Sequence, residues 1–165
     1  MFWGSGAQDY HATVMATDVV TVERTIPAKA EAIFGLLADP NRHSDIDGSG
    51  TVRGARAGAE RLELGSRFGM SMRMGLPYGT ENEVVEFEEP RRIAWQTRGV
   101  GIVRPFGGRI WRYELEPVEG GTLVRESWDI THESPLTKPV VRMAASTTAK
   151  NMAATLARIE KLLAS

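Results

Sequence analysis

The sequence contains no cysteine among its 165 residues. Disulfides, thiolate zinc sites, iron–sulfur clusters and cysteine nucleophiles all need a thiol, so each of these is excluded. A chain without cysteine is typical of the reducing cytosol, and we expect a cytoplasmic location.

The sequence also lacks a charge bias. Its 20 Lys and Arg residues face 21 Asp and Glu residues, which gives a net charge of −1 at pH 7. Nucleic-acid-binding domains usually carry a basic surplus, so we expect no nucleic-acid partner.

Long apolar runs are missing as well. No segment approaches the roughly 18 consecutive apolar residues that a membrane-spanning helix needs, so we expect no membrane span. Residues 1–17, MFWGSGAQDYHATVMAT, have neither the basic start nor the apolar run of about 7–15 residues that mark a secretory signal. We interpret them as a flexible leader.

Motifs for common cofactors and nucleophiles are absent. There is no phosphate-binding loop and no G-x-S-x-G, and the glycines within residues 48–54 do not have the spacing of a dinucleotide fingerprint. His43, Asp45 and Asp47 could in principle converge on a cation. No partner histidine lies nearby in sequence, so turn capping by the two aspartates is the preferred interpretation. We therefore expect no metal and no cofactor.

What the sequence contains is one ordinary globular domain. Apolar residues make up 42% and charged residues 25% of the chain, and we predict a single ligand-binding domain over residues 18–165. A strand is predicted at 18–26, a helix opened by Pro27, and one short helical turn within 41–47. Six strand candidates follow, at about 51–57, 66–74, 80–88, 91–98, 108–116 and 121–131. After Ser134, an amphipathic helix is predicted to run to Leu163.

Three stretches of this layout carry a family resemblance: ADPNRHSDIDGSG, NEVVEFEEPRRIAW and GGRIWRYELEPVEGGTLVRESWD. Together with the helical tail, they resemble the START-like superfamily in its polyketide cyclase/dehydrase (SRPBCC) branch, over roughly residues 18 to 164. The resemblance implies an α+β helix-grip fold. In this fold a curved antiparallel sheet of about seven strands wraps a long C-terminal helix, with two short helices after the first strand. It also implies a cavity for an apolar ligand, but no shared catalytic signature.

Alternation along the strands predicts which side chains face that cavity, because successive residues of a strand point to opposite faces of the sheet. Three methionines in one strand favour a wall that adapts to an irregular guest. A closed hydrophobic core is the alternative. The predicted ligand-binding side chains are Phe68, Met70, Met72, Val85, Phe87, Trp95, Trp111, Tyr113, Glu126 and Trp128 on strands, Tyr78 and Phe106 in loops, and Met143 on the last helix.

Glu126 is the most informative polar position, because alternation along its strand places it on the inner face, between Val124 and Trp128. A carboxyl group buried there without a cationic neighbour would have a raised pKa and could act as an acid or a hydrogen-bond donor. A bulge that reverses the parity, or an ion pair with Arg142, is the alternative. Tyr113 and His132 are weaker catalytic candidates, and a solvent-exposed position is the alternative for His132. We expect Glu83, near a strand end, to face solvent.

The loops predict where the cavity opens. Tight polar turns at 89–92 and 117–121 lie at one end of the sheet, whereas apolar, glycine-rich loops at 75–79, 99–108 and 131–136 lie at the other. We predict the entrance between these apolar loops and the start of the last helix, with the glycines permitting hinge motion. In the alternative, part of the second loop extends its flanking strands and packs inward.

From these observations we predict a protein that binds a small hydrophobic molecule of the lipid, aromatic polyketide or isoprenoid type. One alternative is a polyketide aromatase/cyclase or dehydratase that uses the same cavity, with Glu126, Tyr113 or His132 handling protons. The other alternative is a protein-interaction module with a filled core. Ligand identity and oligomeric state stay open.

Overall fold

The residues that the structure, a computed structural model, describes are 13–15, 18–55, 60–103 and 105–164, with side chains described for all of these except 13–15, 55, 74, 76–78 and 103.

Eight antiparallel strands form one curved sheet in the order β1-β2-β8-β7-β6-β5-β4-β3. The strands are β1 Thr13–Met15, β2 Val19–Ile26, β3 Val52–Ala55, β4 Arg67–Met74, β5 Leu76–Glu88, β6 Arg92–Arg98, β7 Gly107–Val118 and β8 Gly121–Asp129. The helices are α1 Ala30–Leu37, α2 His43–Ile46, α3 Lys138–Arg142 and α4 Ala145–Ala164. The predicted helix-grip architecture is therefore confirmed, with the short helices between the first long strand and the meander.

The strand β1 is a departure from the predicted leader. Thr13 pairs with Thr21 and Met15 pairs with Val19, so three residues of the segment interpreted as flexible join the sheet. The boundary predicted at residue 18 is too late for these three residues. The rest of the predicted leader, residues 1–12 and 16–17, lies outside the described residues.

The last helix is not continuous. It divides into α3 and α4, and Pro139 occupies the first turn of α3, where its missing N–H costs no hydrogen bond. Ser134 does not start the helix; its carbonyl accepts the N–H groups of Thr137 and Lys138 in the preceding turn. Met143 follows α3 and is 85% exposed, so its predicted place in the cavity is wrong.

Ion pairs attach α3 to the start of the sheet. Asp18 lies 2.9 Å from the Lys138 ammonium and accepts a hydrogen bond from Arg142 Nε at 3.1 Å. These two hydrogen bonds hold the pKa of Asp18 below its ordinary value. The neighbouring Val140 stays 71% exposed, whereas Val141 packs against the core, so both charge and apolar contact hold α3.

A closed core fills one half of the concave face. Phe34 of α1 is fully buried, and its ring contacts that of Phe87 edge to face, with centroids 5.3 Å apart. Ile93, Leu115 and Val124 belong to the same core. Phe87 therefore packs within this closed half and does not reach the cavity predicted for it.

A bulge in β5 reverses the predicted parity. Its pairing with β6 shifts register between Val84 and Glu86, since one extra residue is accommodated there. Val84 faces inward at 1% exposure whereas Val85 is 38% exposed, so the ligand-binding role predicted for Val85 is wrong. The same bulge turns Asn82 inward, where it is buried, and leaves Glu83 exposed, as predicted.

Candidate functional site

The other half of the concave face encloses a cavity of about 510 Å³. It lies between the sheet, the segment joining α2 to β3, and α4. Its volume falls within the range of about 300–1,000 Å³ that small-molecule sites occupy. Eight of the predicted side chains line it: Phe68, Met70, Met72, Trp95, Phe106, Trp111, Tyr113 and Glu126.

Trp128 and Tyr78 complete the account of the predicted residues. Trp128 is buried but does not line the cavity; it packs behind Trp111, with ring centroids 6.4 Å apart. The side chain of Tyr78 lies outside the described part of the structure.

An aromatic cluster forms the inner wall. The imidazole of His43 stacks on Trp95 with ring centroids 5.0 Å apart, and Phe68 meets both rings edge to face. Tyr113 lies on the other side of Trp95, with centroids 5.6 Å apart. Such offset and edge-to-face contacts make a rigid apolar wall.

His43 is a cavity residue that the sequence analysis missed. It is buried, and its Nε2 lies 2.8 Å from the Leu37 carbonyl oxygen, so Nε2 carries the proton. Burial lowers the pKa of His43, which keeps the imidazole neutral at pH 7. The H-x-D-x-D pattern suggests a role for the aspartates, and nothing in the local sequence indicates that the imidazole packs on Trp95.

The aspartates of that pattern have local roles. Asp47 accepts hydrogen bonds from the backbone N–H groups of Ser49 and Val52, and Asp45 accepts one from Arg42. The predicted turn capping is confirmed for Asp47. Among the described residues, no group of three or more His, Asp or Glu side chains is arranged to hold a metal ion.

Glu126 faces inward, as parity predicts. It is 2% exposed, and Tyr113 Oη donates a hydrogen bond of 2.7 Å to its Oε1. Its Oε2 is buried and has no hydrogen-bond partner among the described residues. The two alternatives for Glu126 are wrong. A bulge does not reverse its face, because β8 pairs with β7 without a register shift, and Arg142 forms its ion pair with Asp18 instead.

Burial determines the ionisation of Glu126. Desolvation raises its pKa to about 8, against the smaller lowering effect of the Tyr113 hydrogen bond. The pKa of Tyr113 is raised well above its ordinary value, chiefly by desolvation. At neutral pH Glu126 is therefore mostly a neutral acid. Because Oε1 accepts from Tyr113, the acid proton resides on Oε2, a buried O–H donor without an acceptor in the wall of the cavity.

Arg109 lies on β7, the strand that carries Tyr113, four residues before it. It shares its face with Trp111 and Tyr113, it lines the cavity, and its guanidinium donates to Glu133 Oε1 at 3.2 Å. Thr137 Oγ1 donates to the same oxygen at 2.8 Å. Because alternate residues of a strand share a face, extending the inward-facing set two residues before Trp111 would have identified Arg109 from the sequence.

Two glycines bring the 131–134 segment against β7. A Cβ at Gly108 would lie 2.2 Å from the His132 carbonyl oxygen, and one at Gly107 would lie 2.9 Å from that of Thr97. The Ser134 N–H also donates to the Gly107 carbonyl at 2.8 Å. These two glycines therefore permit close packing, which differs from the hinge role predicted for them.

The cavity lining extends to the apolar loops. Gly79, Gly99, Phe106 and Thr137 line it, and no residue of the tight turns at the opposite end of the sheet does. The 99–108 loop is divided: Ile102 is 94% exposed, whereas Phe106 lines the cavity and Gly107–Gly108 extend β7. His132 is exposed and does not contribute to the lining, which removes the basis for its predicted catalytic role.

Comparison with known proteins places this fold and cavity in a family. The family model described as "Polyketide cyclase / dehydrase and lipid transport" matches residues 17–164. The chain belongs to this family. The SRPBCC resemblance of the sequence is thereby confirmed, and hydrophobic ligand binding or cyclase-like chemistry is consistent with it.

Relatives of this polyketide cyclase/dehydrase family protein include the uncharacterized protein Rv0088 of Mycobacterium tuberculosis, 36% identical over 106 residues. The match covers 63% of this chain and 44% of that protein, so the chain spans less than half of the relative's length. A solved protein of Rhodobacter sphaeroides has a TM-score of 0.73 at 19% identity, covering 94% of this chain and 98% of its own. The Polyketide_cyc-like protein Cgl2372 of Corynebacterium glutamicum has a TM-score of 0.58 at 22% identity, covering 90% and 93%. These two likenesses show the fold.

In the part of the chain that the structure describes, none of the helices combines the length and the apolar character needed to cross a bilayer.

Proposed function

We propose that the protein binds a small hydrophobic molecule that carries an oxygen acceptor, of the lipid, aromatic polyketide or isoprenoid type. The observation that carries this proposal is the protonated, partly unpartnered Glu126 within an aromatic-walled cavity of about 510 Å³. The space between the sheet and α4 argues against the alternative of a filled core.

Affinity and orientation have separate sources in this site. Burying about 300 Å² of apolar guest surface contributes roughly 7 kcal/mol before the costs of association. The aromatic cluster supplies that burial. The Glu126 O–H then selects guests with a carbonyl or hydroxyl oxygen near Tyr113, since a hydrocarbon would leave this buried donor without an acceptor.

A matched pair of aromatic guests tests the proposal. We expect acetonaphthone to bind about tenfold tighter than ethylnaphthalene at pH 6, because only the ketone oxygen accepts a hydrogen bond from the Glu126 O–H. At pH 9, above the pKa of about 8, this preference should disappear. Quenching of tryptophan fluorescence measures both affinities, since Trp95 and Trp111 line the cavity.

The Glu126→Gln variant is the control for this titration. Glutamine keeps a donor group at both pH values and does not ionise, so its preference for the ketone should not depend on pH. Failure of both guests to bind the folded protein would refute ligand binding. Equal affinities of the two guests at pH 6 would refute the donor role of Glu126.

Catalysis is a second candidate, supported by the 2.7 Å contact between Tyr113 and Glu126. A neutral carboxylic acid beside a phenol can protonate a ketone oxygen as an α-carbon attacks that carbonyl and closes a ring, or a hydroxyl that leaves as water. In both cases the carboxylate left behind accepts the proton lost from the α-carbon. If the protein is a cyclase or dehydratase, Glu126→Gln should lower turnover of a short poly-β-keto thioester by at least about 100-fold. His132→Asn, at an exposed position away from the cavity, should leave turnover unchanged. Unaltered turnover in Glu126→Gln would remove this candidate.

A further inference from the structure

The inner wall carries a cation whose hydrogen bonding is incomplete. Arg109 lines the cavity, and its guanidinium makes a single hydrogen bond, from Nη2 to Glu133, among the described residues. Its Nε is buried without a partner. A guanidinium offers five N–H donors in a planar fork. With Nε buried and one Nη2 N–H bound to Glu133, the three remaining N–H groups of Nη1 and Nη2 have no partner among the described residues.

Glu133 positions this arginine from behind. Its side chain is fully buried, it does not line the cavity, and Thr137 holds the oxygen that Arg109 also binds. Nη2 of the guanidinium is therefore held by the 131–137 segment, while Nη1 makes no hydrogen bond to the described residues. Forked donors of this kind recognise carboxylates through two parallel hydrogen bonds.

Arg109 and Glu126, two of the polar side chains that line the cavity, are separated along the sheet. Tyr113 pairs with Glu126 across β7 and β8, and Arg109 precedes Tyr113 by four residues. At about 3.3 Å per residue, the arginine lies roughly 13 Å from the Glu126 end. The wall between them is apolar, with Trp111 and Trp95 opposite each other in register. A guest that satisfies both ends must be elongated.

We propose that the natural guest is a medium-length carboxylate with a carbonyl or hydroxyl oxygen near its far end. Its carboxylate binds Arg109 at the mouth, its chain lies along the tryptophans, and its oxygen accepts the Glu126 O–H. This inference rests on the proposed binding function and names the guest class for the same cavity. The reverse orientation would bury the carboxylate among apolar rings, where no cation compensates its charge.

Three guests of equal chain length test this assignment at pH 7: ω-hydroxydecanoate, decanoate and decanediol. Calorimetric titration should give the highest affinity for ω-hydroxydecanoate. Arg109→Gln should weaken this guest by at least about tenfold and change decanediol by less than about threefold, because only the carboxylate uses the charged fork. Arg109→Lys, which keeps the charge without the fork, should restore part of the loss.

Two further variants control for folding and for charge. Arg109→Gln leaves Glu133 buried without its cation, so the double variant Arg109→Gln/Glu133→Gln repeats the measurement with both charges removed. Arg73→Gln removes one positive charge from an exposed position on β4 and should change neither affinity.

The outcomes separate this inference from the proposed function. The carboxylate assignment would be overturned, with hydrophobic binding intact, if decanediol bound as tightly as ω-hydroxydecanoate. It would also be overturned if Arg73→Gln and Arg109→Gln lost equal affinity for ω-hydroxydecanoate. If none of the three guests binds the folded wild-type protein, the proposed function fails and this inference fails with it.

Discussion

Raising the pH from 5 to 9 is expected to destabilise the folded protein by about 4 kcal/mol through Glu126 alone. Burial raises the pKa of this carboxyl to about 8 from an ordinary value of 4.5. Between these two values the unfolded chain has released a proton that the folded chain keeps. The contribution of Glu126 is therefore most favourable below pH 4.5, declines as pH rises, and is fully lost above pH 8.

Urea unfolding at pH 5, 7 and 9, followed by tryptophan fluorescence, measures this dependence. In Glu126→Gln the amide oxygen still accepts the Tyr113 hydrogen bond but cannot ionise. The free energy of unfolding of this variant should lack the part of the pH dependence that Glu126 contributes. At pH 9 the variant should be more stable than wild type. The buried His43, whose pKa is lowered from 6.5, acts in the opposite direction at acidic pH. Because both proteins retain it, their difference isolates Glu126.

The exposed Glu83 provides the matched control for this experiment. Glu83→Gln makes the same chemical change on the outer face of β5 and should keep the full pH dependence of wild type. Parallel stability curves for wild type and Glu126→Gln would show that the Glu126 carboxyl is not a buried acid.

Replacing Gly48 by alanine is expected to cost about 3 kcal/mol of folding stability. A Cβ at this position would lie 2.2 Å from the Asn151 carbonyl oxygen and 2.5 Å from the Thr155 nitrogen, both in the backbone of α4. The Gly48 N–H also donates to Thr155 Oγ1 at 2.9 Å. Since no flexible side chain can move aside, α4 or the segment after α2 must shift, and both border the cavity.

Gly35→Ala is the control, because nothing lies within 4 Å of its added methyl group. In the interior of α1, alanine should stabilise the fold by about 0.5–1 kcal/mol. Urea unfolding of the two variants should therefore give opposite signs for the same substitution. A Gly48→Ala protein as stable as wild type would contradict the close approach of this segment to α4.

Strand alternation predicted the site wherever pairing runs without interruption. Trp111, Tyr113 and Glu126 face inward as expected because β7 and β8 pair in continuous register. In β5 the rule failed, since a bulge inserts one residue and reverses the faces before it. No pattern in the sequence marks that bulge, so the buried position of Asn82 could not be predicted.

The helical part of the site was harder to predict from periodicity. Periodicity places Val140 and Met143 on the buried face, yet both are exposed, whereas Val141 packs against the core, because the helix divides into α3 and α4. His43 shows the complementary difficulty. Its burial depends on Trp95 and Phe68, which are distant in sequence, so local spacing carried no signal for its place in the wall.

The attachment of α3 through Asp18 makes one part of the molecule sensitive to ionic strength. Electrostatic screening shortens from about 10 Å at 0.1 M salt to about 3 Å at 1 M, which weakens partly exposed ion pairs such as those with Lys138 and Arg142. Apolar packing under α4 is not screened in this way. Concentrated salt should therefore weaken the Asp18 contacts of α3, leaving Val141 to hold the helix on the core, while the body of the domain stays folded.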